Sequence, residues 1–537
     1  MSSLLETSCL LNPLILLVFT LAAHGLILFN DGLYWDAWMI DSWQRRKDWS
    51  TMKKFFSEVG MPLQHYLHKF IAGFSNRSIV YRLLVVASTY ASALAIYLIA
   101  TRFGFLDENL ALVLSLLYLA YTGYHMNVDS IVILQYGLPT AMFYWAAYVA
   151  FVALDNAGAT HWGLRLTSLV LFWCSFSANS LLVYYFGFLG LMLFLKPGFT
   201  EDVWRNAYFG FLEHLDYAVL PVVFWILKEK LAPRHGYYKD YNRIQFEPLR
   251  LVGSFINSIR CGVESAITAP IRSAIEKHFL WIPVGALVLA FYVQSSLVSF
   301  PLAISRPVAI NLVVAGAVLF ALAALPYILV GRNFSPEGWN TKHHLLFHLP
   351  VSLMILGAAS LLLPAKVVLP VLVSMLAVNM VHLNLVYLYY IAVAAKDRSW
   401  LYKLSRIEGA NQTSVFYITD KHSIQGDDHF PQNSPAYSFY MFEWLWADKT
   451  RIGIHVSASH RQRLQGEQIS KLLAAATLEY DMQEVNIRGS HARLVISDGT
   501  KRTPIWIALM YLKERYLPGG KVERVLEEIT DLNYAQV

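Results

Sequence analysis

Two carboxylates, Asp31 and Asp36, follow the first strongly apolar run closely, in a segment that also holds Tyr34, Trp35, Trp38 and Asp41. A carboxylate at the mouth of a membrane helix stays ionised in water while facing a lipid-borne substrate, which suits a general base. The same residue types also stop and cap helices, and Trp and Tyr favour the interface of any membrane protein. A second group, Arg332, Lys342, His343 and His344, lies in the stretch 331–345, just ahead of another apolar run. Arg offers a planar fork to a phosphate and Lys a point charge. Snorkelling anchors would have the same composition. Further cations in 230–278 (Arg234, Arg243, Arg250 and Arg260 among them) alternate with Tyr237, Tyr238, Tyr241 and Phe246. Cations beside aromatics suit phosphate contact and sugar stacking, and a solvated amphipathic face explains the pattern equally. His65 and Lys69, four residues apart on a helical stretch, could meet a lipid headgroup together.

The elements that must position these residues follow from composition. Of 537 residues, 56% are hydrophobic and 15% charged, and the mean hydropathy is +0.42. Soluble chains carry about 25% charged residues. The deficit is confined to the front: roughly one residue in eight is charged up to residue 396, against roughly one in four beyond it. A wholly soluble enzyme, a nucleic-acid-binding protein and a disulfide scaffold are excluded. The three cysteines are far apart and the surplus of +6 is modest. The first run has only Glu6 ahead of it and no clear cleavage site, so it reads as a retained helix and not a signal peptide.

Apolar runs fall near 13–29, 79–100, 109–124, 130–153, 163–178, 181–196, 215–229, 279–299, 308–330, 346–363 and 367–395. They predict about eleven transmembrane helices. The runs 163–178 and 181–196 are either a hairpin or one broken helix. The domains expected are a membrane module over 1–395 and a soluble α/β domain over 396–537. Long connections occupy 30–78, with interfacial helices, 230–278 and 331–345. With that count, all three share one side with the tail. The Lys and Arg bias of 30–78 argues against calling that side external; phosphate contact by interfacial helices accounts for it instead. In the tail, 414–419, 451–457 and 492–497 predict strands, and 459–480 and 503–516 predict helices. Trp444 and Trp446 are expected in the tail's core. Asp427, Asp428 and His429 have no metal-ligand spacing and read as a solvated loop. No Walker A, HExxH, GxSxG or dinucleotide-binding glycine run is present.

The order of features between the first two runs resembles the GT-C superfamily of membrane glycosyltransferases. Asp31, Trp35 and Asp36 stand where that family has its acidic motif. Gly60-Met61-Pro62-Leu63, with Leu67 four residues on, stands where it has a Pro-Leu element. The resemblance covers mainly 13–100. It departs from the family in that Asp31 and Asp36 are five apart instead of adjacent. It implies a polytopic α-helical membrane fold, GT-C-like, similar to the protein mannosyltransferase and aminoarabinose transferase type. The implied donor is a polyprenyl-phosphate sugar and the acceptor a glycan, lipid or protein. Asp36 is expected as base, with Asp31 as alternative, or as a group that orients the acceptor or holds a divalent cation. Arg332, Lys342, His343, His344 and Lys69 would bind the donor phosphate, and His65, Tyr237, Tyr238 and Arg243 the substrate. The chain would lie in a bacterial inner membrane or equivalent, with catalytic loops and tail extracytoplasmic, in contact with membrane lipids and no nucleic acid. The rivals are a lipid or polysaccharide transporter or flippase, and a non-enzymatic scaffold. The former class often shows repeats and midplane charges; no repeat is present.

Overall fold

In a computed structural model, described here for residues 2–194, 210–240, 242–276, 285, 304–421, 424, 435–447, 451–455, 492–499 and 502–536, the chain is predominantly helical. Among the described residues, five helices are long and apolar enough to cross a membrane: Leu11–Phe29, Arg77–Arg102, Ser130–Leu154, Arg306–Leu329 and Ala365–Leu404. Three shorter apolar helices are Glu108–Leu119, Ser180–Met192 and His348–Leu362. The chain is therefore a helical membrane protein. Among the described residues five of the eleven expected spans have that length, because an apolar run fixes hydropathy and not helix length. The pair 163–178 and 181–196 forms two helices, the first ending at Ser175 and the second starting at Ser180. The expected span 279–299 and the tail helix 459–480 lie outside the described residues, as do Asp427, Asp428 and His429.

Two compact units are present, and the sheet-bearing tail shares one of them with the first long connection. One unit takes in 1–25, 81–234 and 242–384; the other takes in 26–80, 235–241 and 385–537. In the first unit, helices start where a side chain caps them: Asp107 accepts from the amides of Asn109 and Leu110, both at 3.0 Å, and Asp129 from Val132 at 3.1 Å. Helices 306–329 and 348–362 pack closely because each presents a glycine. A Cβ on Gly316 would lie 2.8 Å from the Pro350 carbonyl oxygen, and one on Gly357 2.7 Å from that of Ala309. Small residues let apolar helices approach where no hydrophobic effect pushes them together.

In the second unit, the first connection folds into three short helices, Ala37–Arg46, Trp49–Glu58 and Gln64–Ile71. Asp48 caps the second through Thr51 N at 3.1 Å. The tail forms a four-stranded sheet in the order β2-β1-β3-β4, with β1 Val415–Asp420, β2 Ile452–His455, β3 Ala492–Gly499 and β4 Thr530–Gln536. β1 runs parallel to both neighbours, and β4 is antiparallel to β3. A central parallel strand is covered on both faces, hence the apolar start of β1. Helix Pro435–Trp446 connects β1 to β2, and its Phe442 and Trp446 rings lie 4.6 and 5.8 Å from Phe416. The three expected strands and the 503–516 helix, seen as Pro504–Tyr516, are present.

Candidate functional site

Three carboxylates of the segment 30–41 have different fates within the second unit. Arg398 donates from Nη1 to Asp31 Oδ2 at 2.7 Å and from Nη2 to the Asp31 carbonyl at 2.6 Å. Arg515 Nε adds a bond to Oδ2 at 3.2 Å, and the Tyr511 hydroxyl donates to Oδ1 at 3.0 Å. Burial pushes the Tyr511 phenol above its ordinary range, so it remains a donor. Asp41 accepts from Arg45 Nε at 2.6 Å, Arg77 Nη2 at 2.8 Å and Trp444 Nε1 at 3.2 Å. Both acids are thus committed to holding the connection in place.

Asp36 differs. It is exposed in a tract whose neighbours Tyr34, Trp35, Ala37 and Trp38 are all buried. It stands at the N-cap position of helix 37–46, but its φ and ψ of −71° and −10° are helical and its side chain makes no cap bond. Capping therefore does not account for it. The residue before it, Trp35, has φ +42°, a left-handed conformation that is costly for a bulky side chain. Such strain persists only where the surroundings over-determine it, and it clusters at functional sites. Here the Tyr34 hydroxyl donates to the Tyr390 carbonyl at 2.7 Å and lies 2.9 Å from Asn30 Oδ1. At Gly32 a Cβ would come within 2.7 Å of Ala394 Cβ, so only glycine fits the close approach.

The other candidates in this unit have structural neighbours. His65 is buried, with Nδ1 2.5 Å from the Pro62 carbonyl oxygen, while Lys69 is exposed and stands 5.9 Å from the Trp49 ring centroid. The pair does not present one face. Tyr238 packs edge-on against Phe55 at 5.6 Å, in a short turn with Tyr237.

In the first unit, Arg332 joins a cavity of about 320 Å³ lined by Arg250, Gly253, Ser254, Asn257, Asn333 and Phe334. Arg332 Nη2 donates to Asn242 Oδ1 at 3.1 Å, and Arg250 Nη2 to the Gln245 carbonyl at 2.8 Å. Asn257 Nδ2 donates to the Phe334 carbonyl at 3.0 Å. Burial, with the nearby charge of Arg332, lowers the Arg234 guanidinium from its ordinary value, against the opposing pull of Glu229. Guanidiniums stay protonated even so, and positive charge concentrated this way favours an anion. Arg243 is exposed on the connection leading to this cavity.

Lys342 stacks on Trp339 at 3.9 Å, as an interfacial anchor does. His343 and His344 are buried. His343 Nδ1 lies 2.6 Å from the Asn333 carbonyl oxygen, and His344 Nδ1 lies 3.3 Å from the Tyr121 hydroxyl. Burial lowers His343 well below its usual value and His344 to about 3, so neither offers a cation to a phosphate at neutral pH. Their place is under the loop that carries Asn333.

No known protein family matches the chain, and no curated protein matches it. Among the described residues, no three His, Cys, Asp or Glu side chains converge to hold a metal ion.

Asn257 and Ser254 escaped sequence reading. The signal was present: Arg250, Ser254 and Asn257 follow one another at spacings of four and three along an amphipathic helix.

Proposed function

We propose that the chain is a GT-C-type membrane glycosyltransferase, moving a sugar from a polyprenyl-phosphate donor to a glycan, lipid or protein acceptor. The observation that carries this reading is the division of labour among Asp31, Asp36 and Asp41. Two are clamped by arginines, and the exposed one follows a strained residue in a rigid, buried tract. Asp36 takes the proton of the acceptor hydroxyl as its oxygen attacks the anomeric carbon. The bond from that carbon to the donor phosphate oxygen breaks, and the phosphate leaves with the electron pair. One displacement inverts the anomeric centre. A departing phosphate requires fixed cationic donors, the part expected of Arg332 from the sequence. The reading places the reaction at the extracytoplasmic face of a bacterial inner membrane or its equivalent.

Purified full-length protein, supplied with a panel of polyprenyl-phosphate sugars, tests it through release of polyprenyl phosphate. Asp36→Asn should abolish release while leaving the unfolding midpoint unchanged. Arg332→Ala should weaken donor binding more than it slows turnover. Full activity in Asp36→Asn would sink the proposal.

A further inference from the structure

The segment 248–276 is a continuous helical stretch that is absent from the five membrane-crossing candidates. It consists of helix Pro248–Val263, a π turn at Glu264–Thr268 and helix Ala269–Glu276. At 1.5 Å per residue it is about 43 Å long, more than the thickness of a hydrocarbon core. Pro270 explains the π turn: proline has no N–H for the carbonyl four residues back and its ring crowds that carbonyl. The stranded Ala266 carbonyl accepts instead from Asn379 Nδ2 at 3.2 Å, and Thr122 donates to that of Ser265.

It contacts four other helices or the residues that flank them. Gln245, just ahead of it, donates its amide to the carbonyl of Leu329, the last residue of helix 306–329, at 2.8 Å. Gly262 faces Phe320, nine residues before the end of helix 306–329, and then Phe347, one residue before helix 348–362. Thr122 stands three residues beyond the end of helix 108–119. His382 Nδ1 lies 2.9 Å from Ser273 Oγ. Asn379 and His382 are roughly 21 to 26 Å along helix 365–404, which is about 60 Å long. From Ala266 to Ser273 the crossing helix advances about 10 Å, while its contacts move only about 4.5 Å along helix 365–404. A helix that meets the ends of others and advances little along helix 365–404 crosses them at a steep angle.

The face turned away from these contacts is apolar and open. Leu249, Val252, Ile256, Val263, Ile267 and Ile271 are all exposed, Leu249 at 91%. From Val263 onward the spacing is four, which in an α-helix would rotate the stripe by roughly 40° a step. The π turn takes up that drift, so one stripe runs the whole length. Arg260 and Arg272, both well exposed, reach Glu264 only at 4.0 and 3.9 Å. Ile310, Val314 and Val318 on helix 306–329 are exposed as well.

We propose that 248–276 lies in the plane of the bilayer interface, with this stripe in the outer hydrocarbon and its arginines at anionic headgroups. The occupant of the open face is lipid. This stands apart from any enzymatic role.

The test uses the full chain, its native cysteines replaced by serine, in nanodiscs of phosphatidylcholine and phosphatidylglycerol. A fluorophore is attached in turn to Val252→Cys, Ile256→Cys, Val263→Cys, Ile267→Cys and Ile271→Cys. Val318→Cys on helix 306–329 is the reference for a spanning helix. Lipids spin-labelled near the headgroup or near the chain end act as quenchers. All five stripe positions should be quenched more by the shallow label, to a common depth, whereas Val318 should favour the deep one. A depth that changes steadily from 252 to 271 would mean a helix passing through the bilayer. Absence of quenching along the stripe, with Val318 quenched, would mean that protein covers the face. Either result overturns the proposal.

Discussion

Replacing Arg398 by alanine removes the fork that grips Asp31 at both its carboxylate and its carbonyl. The Asp31 side chain is only 9% exposed, so water cannot fully replace the lost partner. Breaking a buried ion pair from one side costs about 3–5 kcal/mol. Two features reduce that figure: Arg398 is itself 26% exposed, and Arg515 and Tyr511 remain on Asp31. A loss of about 2–3 kcal/mol is expected. Arg515→Ala removes one bond from a side chain 46% exposed and should cost no more than about 1 kcal/mol. Adding Asp31→Asn to Arg398→Ala removes the stranded charge and should return about 1 kcal/mol or more. The assay is reversible denaturation of full-length protein in detergent, followed by tryptophan fluorescence, with all four members of the cycle measured together. Equal losses for Arg398→Ala and Arg515→Ala, or additivity across the cycle, would refute the view of Asp31 as a clamped acid.

The remaining predictions concern burial and backbone fit. Burial holds His68, His125 and His344 near 3 in the folded chain, against about 6.5 when unfolded. The unfolded state then binds more protons below about pH 6.5, so stability is complete above that value and falls as pH drops toward 3. The detergent unfolding midpoint should decline between about pH 7 and about pH 5, and His344→Gln should flatten the slope; a flat wild-type profile would contradict it. Asn379→Leu strands the Ala266 carbonyl and should cost about 1–3 kcal/mol. Adding Pro270→Ala should recover part of this by restoring an N–H, and no recovery in the unfolding free energy would count against the account of the π turn. Gly32→Ala forces a methyl against Ala394 and should lower the unfolding free energy by about 1–3 kcal/mol.

Hydropathy alone located the long helices, since a run of apolar residues reports its own environment. It could not report how far each helix extends: the run 367–395 became a helix of 40 residues. The strands of the tail were legible because their β-branched and aromatic residues are local signals. The clamp on Asp31 was not legible. It depends on Arg398 and Arg515, which lie 367 and 484 residues from Asp31. Likewise His343 and His344 read as cations, because a loop between apolar runs looks wet until packing buries it. Arg250 and Arg332 were each visible as basic residues, but only folding puts 82 residues of separation into one cavity.

The clamp on Asp31 also has a consequence for the order of biosynthesis. Tyr511, which donates to Asp31, follows it by 480 residues. At roughly 5–20 residues per second, the carboxylate waits roughly half a minute to a minute and a half for its last partners. For the first three quarters of that interval the first membrane helix has been made, while the turn beyond it has no Arg398 to fix its shape. The segment that carries the candidate base is therefore among the first made and the last to set. A chain halted ahead of its final helices would hold Asp31 through Arg398 alone, without the bonds from Tyr511 and Arg515.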